Sequence, residues 1–335
     1  MWRLGIDLHR QTVVIAALND AGEVRPARKF ECSEPAEILG YCQQFLPFRA
    51  VIEATSTYRW LHTLLSTMGT VLLAHPLRLR AMVLRRSKTD RLDAMLLAQL
   101  LRINQIPLAY VPAERFQRLR ESTRQRCRLT QAQTQVKQAF RWLLARHNMN
   151  PPYKCPLGPR GLYWFSRQDF GPVDNPIRDE LVQRLQHFDK QLDAMDARLA
   201  ELRSEYPEVE VLVDLHGVGL YSAMVIASEF GDVMRFRTAK QAGAYTGLTP
   251  RVDQSGSHCY LGHISRQGSP WMRHVLVEAA MKIVRRDVGL ANFHQRIRKR
   301  SSAKIARVAT ARKLAEICWK RLRRWHSEHS QPVAA

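Results

Sequence analysis

The sequence has few acidic residues relative to basic ones, and this imbalance restricts the partners it can have. Asp and Glu total 30 against 52 Lys and Arg, which gives a formal net charge of +22 over 335 residues. Such a balance argues against an acidic disordered tail or an ordinary metabolic enzyme and favours a polyanionic partner, either nucleic acid or an anionic membrane. Because 45% of the residues are hydrophobic, we expect a buried core and not a disordered basic arm.

Two further absences favour nucleic acid over a membrane. The six cysteines are scattered and form no C-x-x-C pair, so the sequence predicts neither a zinc ribbon nor a disulfide framework, and reduced thiols indicate the cytoplasm. No apolar run approaches the roughly 18 residues of a membrane span. The segment Leu4-Gly5-Ile6-Asp7 also lacks the form of a signal peptide. We therefore expect a cytoplasmic protein without a membrane partner.

Residues 1–110 are predicted to form an α/β domain. Apolar runs bounded by turn residues favour strands, and longer stretches with a period near 3.6 favour helices. The predicted strands are 3–8, 12–18, 24–31, 49–54 and 70–75, and the predicted helices are 34–46, 57–68 and 89–103. Three successive strands followed by alternating helices and strands is the order of an RNase H-like domain.

Residues 111–207 are predicted to form a helical connector, and residues 208–335 a mostly helical C-terminal domain. Two long polar helical patterns, at about 114–148 and 176–205, flank a loop rich in proline, glycine and aromatic residues at 151–176. This pattern favours an antiparallel coiled-coil hairpin. Such a connector is either a solvated spacer or a specific element such as a dimerisation surface.

Four acidic residues stand where carboxylates are costly or face one another. Asp7 lies within an apolar strand, Glu53 lies near the end of another, and Asp90 and Asp93 are three residues apart on a predicted helix. In the inferred topology the four side chains converge on one place, and such a cluster of carboxylates favours the binding of Mg²⁺. Two ions bound there would be able to support phosphodiester chemistry. Taken singly, Glu53 could have a local partner, Asp90 could face the helix dipole, and Asp93 could pair with a nearby basic residue.

Glycines and basic residues in the C-terminal region predict contacts with nucleic acid. Gly217 and Gly219 stand in a segment typical of a helix-hairpin-helix turn, in which free amides at the next helix meet a phosphate. An ordinary turn between helices is the alternative. Further basic candidates flank a polar loop or lie on amphipathic helices, where a purely solubilising face is the alternative: Arg251, Arg266, Arg273, Arg298, Lys299 and Arg300. Ser255, beside Gly256 in that loop, could aim a hydroxyl at a phosphate, although a Ser-Gly pair is usually a turn.

These segments, in this order, resemble the Piv-type DEDD transposases and DNA invertases of bacterial insertion sequences, which include the bridge-RNA-guided serine recombinases. The resemblance extends over nearly the whole chain, and the series of short matches is far more specific than any one of them. The matching segments are Gly5-Ile6-Asp7, Glu53-Ala54-Thr55 with Tyr58, residues 87–94, Gly217-Val218-Gly219, Arg235-Phe236, residues 247–250, Ser255-Gly256, and Gly268 with Arg273.

The resemblance implies a RuvC-like domain, a coiled-coil connector and a C-terminal transposase domain. It implies that Asp7, Glu53, Asp90 and Asp93 are the DEDD acids that bind Mg²⁺, two ions per site, with Mn²⁺ as an alternative. It also implies that Ser255 is a nucleophile that forms a phosphoserine link to DNA. His258-Cys259 stands where relatives often have glycine and basic residues, which makes Ser257 the second candidate nucleophile.

The implied partners are donor and target DNA, a structured bridge RNA that pairs with both, and further copies of the chain in a dimer or tetramer. The implied location is the bacterial cytoplasm. Two other functions compete with a serine recombinase. One is a metal-dependent RuvC-like nuclease or junction resolvase without serine chemistry, and the other is a non-enzymatic scaffold that binds RNA or DNA.

Overall fold

The structure is a computed structural model that describes residues 1–82, 89–255 and 258–329. The chain divides into two compact units, Met1–Val111 and a second unit that begins at Pro112. The first unit is a mixed α/β structure and the second is mostly helical. The predicted α/β and α classes are thus confirmed, and the predicted three-domain boundaries stay a prediction.

The first unit is built on one five-stranded sheet. Its elements in chain order are β1 (Trp2–Leu8), β2 (Thr12–Asn19), β3 (Val24–Glu31), α1 (Pro35–Gln43), β4 (Phe48–Glu53), α2 (Tyr58–Ser66), β5 (Thr70–Ala74), α3 (Pro76–Met82) and α4 (Asp90–Arg102). The strands lie in the order β3-β2-β1-β4-β5. β1 is antiparallel to β2, and β2 to β3, whereas β1, β4 and β5 run parallel.

Helices cover both faces of this sheet because the central strands are apolar on both faces. On one face Leu4 and Ile6 of β1 pack in a core with residues of α1 and α2. On the other face Val51 of β4 packs with Leu97 and Leu101 of α4. The edge strand β3 is mostly exposed and carries Pro and several basic residues, which discourages pairing with another strand. All predicted strands of this unit are confirmed, and helix α3 is an addition after Pro76.

Within its described residues, the second unit contains three long helices, several shorter helices and a β-hairpin. Its elements within the described residues are α5 (Glu114–Arg146), α6 (Pro159–Ser166), α7 (Gly171–Glu201), α8 (Glu210–Val213), α9 (Leu220–Phe230), α10 (Ala239–Tyr245), β6 (Pro250–Ser255), β7 (His258–Ile264), α11 (Pro270–Ile283), α12 (Val288–Arg300) and α13 (Ala303–His329). Short 3-10 turns lie at Leu202–Glu205, Pro207–Val209 and Val233–Arg235.

Helices α5 and α7 lie side by side and antiparallel, as their polar contacts show. The Arg126 guanidinium of α5 contacts the Asp196 carboxylate of α7 at 2.8 Å, and Arg146 near the other end of α5 pairs with Asp174. Helix α7 begins earlier than predicted, with Pro172 in its first turn, where proline is tolerated, and with Pro176 inside the helix. The segment predicted as a loop contains α6, which packs Phe165 against Phe140 of α5.

The core of the C-terminal part surrounds α9. Every residue of α9 from Ala223 to Phe230 is buried, and the helix shares one apolar cluster with α11 and α13. Trp319 of α13 donates its indole N–H to the backbone carbonyl of Val233 at 2.9 Å, so this buried ring leaves no unpaired donor. Over the ranges that the structure describes, none of the helices is long and apolar enough to cross a membrane.

Candidate active site

Asp7 and Glu53 lie at the same edge of the sheet. Asp7 is the second-last residue of β1 and Glu53 is the last residue of β4. The two strands are parallel neighbours, and Ile6 pairs with Ile52 one residue earlier in each strand. The carboxyl ends of adjacent parallel strands therefore deliver both acids to one place, as the sequence predicts.

Helix α4 brings two more acids towards Asp7 because it packs directly on β1. A Cβ atom at Gly5 would overlap the backbone carbonyl of Ala94 and the backbone N of Ala98, so only glycine permits this close approach. The helix begins after Thr89, whose hydroxyl accepts a hydrogen bond from the Leu92 N–H at 3.3 Å. Asp90 and Asp93 consequently stand in the first helical turn, where the helix dipole favours negative charge.

The environment of Asp7 makes its negative charge unfavourable. The residue is only 9% exposed. Burial raises the pKa of the Asp7 carboxyl, the neighbouring His9 lowers it, and the carboxylates of Asp90 and Asp93 raise it further. A divalent cation would relieve this repulsion, and carboxylate oxygens are the donors that such a hard cation prefers. The donor set therefore fits the metal site that the sequence predicts.

His9 is a member of this cluster that the sequence analysis missed. Its Nε2 atom lies 3.1 Å from Oδ2 of Asp7 and 3.2 Å from Oδ1 of Asp90. Among the described residues, ligand atoms of Asp7, His9 and Asp90 all lie within 4.8 Å of one another. The spacing could have revealed it, because His9 follows the end of β1 two residues after Asp7, and residues i and i+2 of an extended chain point to the same side.

The hairpin of β6 and β7 carries the predicted serine. Ser255 is the last residue of β6, and its backbone pairs with that of His258 in the antiparallel register. The second candidate, Ser257, lies outside the described residues. The sequence predicts only a loop here, since short polar strands between glycines resemble turns in composition.

Arg251, Arg266 and Arg273 occupy different surroundings near this hairpin. Arg251 and Arg266 are exposed. Arg273 of α11 is partly buried, and its Nη1 donates to the backbone carbonyls of Gly268 at 2.6 Å and Arg266 at 3.3 Å. Burial and the nearby Arg266 charge lower the pKa of Arg273. Arg273 therefore has a structural role in this loop, and its contact with a phosphate stays a prediction.

The predicted glycine turn lies immediately before α9. Gly217 has a φ of 87°, and a Cβ atom there would stand 2.5 Å from Cβ of Lys282 in α11. Backbone conformation and packing both require glycine at this position. Gly219 is the residue that precedes the first turn of α9, and nothing lies within 4 Å of a Cβ built there. At the end of α12, Arg298, Lys299 and Arg300 are exposed, and their contact with nucleic acid stays a prediction.

Comparison with known protein families identifies the family to which this chain belongs. Residues 4–149 match the model of the DEDD transposase family of IS110. Residues 209–295 match the model described as "Transposase IS116/IS110/IS902 family". The chain belongs to the IS110/IS116/IS902 family of transposases. The transposase is accordingly an enzyme that acts on DNA, and its DEDD family indicates the use of a divalent metal ion.

Individual proteins similar to this transposase are also described as transposases. The chain is 25% identical over 336 residues to the "Probable family 20 transposase" of Pseudomonas aeruginosa, and the alignment covers 96% of this chain and 97% of that protein. It is 27% identical over 172 residues to the transposase for insertion sequence element IS1328 of Yersinia enterocolitica, covering 48% and 52% of the two chains. The transposase for insertion sequence element IS1111A of Coxiella burnetii is 26% identical over 156 residues, covering 45% and 42%.

Proposed function

We propose that this transposase cuts and rejoins DNA by means of a carboxylate metal site and a serine nucleophile. The observation that carries the proposal is the convergence of Asp7 and Asp90 from a strand and a helix, with ligand atoms close enough to share one ion. Glu53 and Asp93 would complete the set of four acids. The order of strands and helices in the first unit supports a RuvC-like fold for the domain that holds them.

The metal site would act on the phosphodiester that is cut. We propose that the divalent ion is Mg²⁺, with two per site and Mn²⁺ as an alternative. When bound, it would polarise the phosphate as a Lewis acid. Asp7, Glu53, Asp90 and Asp93 hold it there. A nuclease or junction resolvase would use the four acids and the metal without a serine nucleophile. The role of the serine therefore distinguishes that mechanism from serine-linked recombination.

Ser255 would attack the phosphorus through its hydroxyl oxygen. The serine hydroxyl loses its proton as its oxygen bonds to phosphorus, the P–O bond to one deoxyribose oxygen breaks, and that oxygen takes up a proton. One phosphate ester replaces another, so the energy of the broken bond is retained. Rejoining to a second DNA end reverses this exchange, so it requires no ATP. Arg251, Arg266 or Arg273 would offset the charge of the phosphate during transfer.

Guidance by a structured bridge RNA is the second part of the proposal. The net charge of +22 suits a protein that holds RNA and DNA backbones together, while base pairing selects the sites. Gly217 and Gly219 would present backbone amides, and the α12 cluster of Arg298, Lys299 and Arg300 would contact phosphates. The antiparallel helices α5 and α7 would serve as a coiled-coil connector in a dimer or tetramer.

A covalent-adduct assay tests the nucleophile. Purified protein is incubated with labelled element-end DNA, Mg²⁺ and co-purified RNA, and the products are separated under denaturing conditions. We expect a protein–DNA adduct with the wild type and with Ser257→Ala, and none with Ser255→Ala. An adduct that persists in Ser255→Ala contradicts the assignment, and cutting by Ser255→Ala at an undiminished rate favours a metal-dependent nuclease.

Two further measurements test the metal site and the RNA. We expect Asp7→Ala and Asp93→Ala to abolish both cutting and recombination, since each removes a metal ligand. Normal recombination by either variant would contradict the role of that acid as a metal ligand, and loss of neither activity in either variant would mean that the acids serve stability. Sequencing of the RNA that co-purifies with the protein should recover one structured transcript from the flank of its gene, and random cellular RNA would contradict guidance.

A further inference from the structure

We propose that His9 is a nitrogen ligand of the metal ion held by Asp7 and Asp90. The inference rests on the proposed function, because it concerns the same metal site. It adds an imidazole to a set of carboxylates and thereby changes which divalent ion the site prefers.

The positions of the ligand atoms support direct coordination. Donors at adjacent corners of an octahedron, each about 2.1 Å from the ion, stand about 3.0 Å apart. Nε2 of His9 lies 3.1 Å from the nearer oxygen of Asp7 and 3.2 Å from that of Asp90. One nitrogen atom therefore faces two carboxylates from different elements at the spacing that a shared ion requires.

The backbone of His9 is fixed beside the two carboxylates. Its N–H donates to the carbonyl of Thr12 at 2.9 Å, which closes the connection between β1 and β2. On the other side of the turn, the Cys32 N–H donates to the carbonyl of Gln11 at 2.7 Å. Because the turn is hydrogen-bonded on both sides, the Cα atom of His9 is held where its side chain reaches Asp7 and Asp90.

An imidazole ligand should shift the metal preference of the site. Nitrogen donors suit later first-row ions, whereas Mg²⁺ prefers carboxylates and water. We expect the wild type to bind Mn²⁺ more tightly than Mg²⁺. His9→Ala should weaken Mn²⁺ binding by about tenfold or more and should leave Mg²⁺ binding within about threefold, because Mg²⁺ can replace imidazole by water.

Pulsed electron paramagnetic resonance of Mn²⁺ bound to the full-length protein tests the coordination directly. We expect echo modulation from a coordinated imidazole ¹⁴N in the wild type and its loss in His9→Ala and His9→Gln. His62→Ala, which removes a histidine of helix α2 in the same unit, is the matched control and should keep the modulation. The glutamine variant retains a polar side chain, and circular dichroism confirms that each variant is folded.

The outcomes separate this inference from the proposed function. Bound Mn²⁺ that requires Asp7 but shows no ¹⁴N modulation in the wild type overturns the role of His9 and leaves the carboxylate site intact. Modulation that persists in both His9 variants also overturns it. Mn²⁺ binding that is unchanged in Asp7→Asn overturns the metal site itself, and the role of His9 with it.

Discussion

Single residues set the distances in the candidate active site. Because Gly5 has no side chain, α4 approaches β1 closely enough for Asp90 to lie near Asp7. Gly40, in contrast, lies in α1 with open space around a Cβ atom. The same residue type is therefore required for packing at one position and dispensable at the other.

Replacing Gly5 by Ala should destabilise the first unit. The added Cβ atom would meet backbone atoms of Ala94 and Ala98, which cannot move unless the whole helix shifts. We expect a loss of about 3 kcal/mol in the free energy of unfolding and weaker metal binding, measured by chemical denaturation and calorimetry. Gly40→Ala is the control and should raise stability by about 0.5–1 kcal/mol. Equal effects of the two variants would contradict this explanation.

Asp174 should make stability depend on pH. Hydrogen bonds from Arg146 and from His147 lower the pKa of the Asp174 carboxyl below its ordinary value of 3.8. The stabilisation is present above the unfolded pKa and is lost as the pH falls through the lower folded pKa. We expect Asp174→Asn to lower the melting temperature at pH 7, with a difference from wild type that shrinks below pH 4. A difference that is constant from pH 7 to pH 3 would refute the assignment.

At the scale of elements, a buried ion pair joins α9 to α5. Glu229 is 2% exposed and accepts two hydrogen bonds from the Arg124 guanidinium, at 2.8 and 3.0 Å. Arg120 donates to the backbone carbonyls of Ser228 and Glu229 at 2.7 Å each. The end of α9 is thus anchored to the long helix by charge-assisted hydrogen bonds to a buried carboxylate.

Glu229→Gln should loosen this junction. Removing the carboxylate leaves the guanidinium groups of Arg120 and Arg124 without the negative charge that compensates them. Because the Arg124 side chain is 35% exposed and water can solvate it in part, we expect a loss of about 2–3 kcal/mol in the free energy of unfolding. Glu180→Gln breaks the exposed pair with Arg184 within α7 and should cost less than about 0.5 kcal/mol. Denaturant midpoints of the two variants provide the measurement, and comparable losses would show that the burial of Glu229 has little effect.

At the scale of the whole molecule, positive charge governs the affinity for nucleic acid. Each phosphate contact contributes about −0.9 to the slope of log affinity against log salt for duplex DNA. We expect replacement of Arg298, Lys299 and Arg300 by Gln to reduce the steepness of this slope by about 3, measured by fluorescence anisotropy between 50 and 300 mM salt.

A second triple variant with the same loss of charge is the control. Arg118, Arg184 and Arg324 are exposed, and each already pairs with a glutamate one helical turn away. Their replacement by Gln should change the slope by less than about 1, because paired arginines displace fewer counterions from DNA. Similar slopes for both triple variants would mean that total charge, and not the α12 cluster, determines binding.

The sequence by itself determined the succession of strands and helices in the first unit, the positions of Asp7 and Glu53 at strand ends, and the excess of positive charge. These are local or additive properties, because periodicity is read within a few residues and charge is a sum. It did not predict α6 or the β6–β7 hairpin, where proline, glycine and polar residues suit both turns and short elements.

Only the tertiary structure decided which side chains meet. Asp90 reaches His9 and Asp7 because α4 crosses Gly5, and Glu229 reaches Arg124 across 105 residues of chain. The structure also shows that the Arg273 guanidinium bonds the backbone carbonyl of Gly268, a contact that the sequence did not indicate. Such pairings depend on how closely elements pack in three dimensions, and the spacing of residues along the chain does not contain that distance.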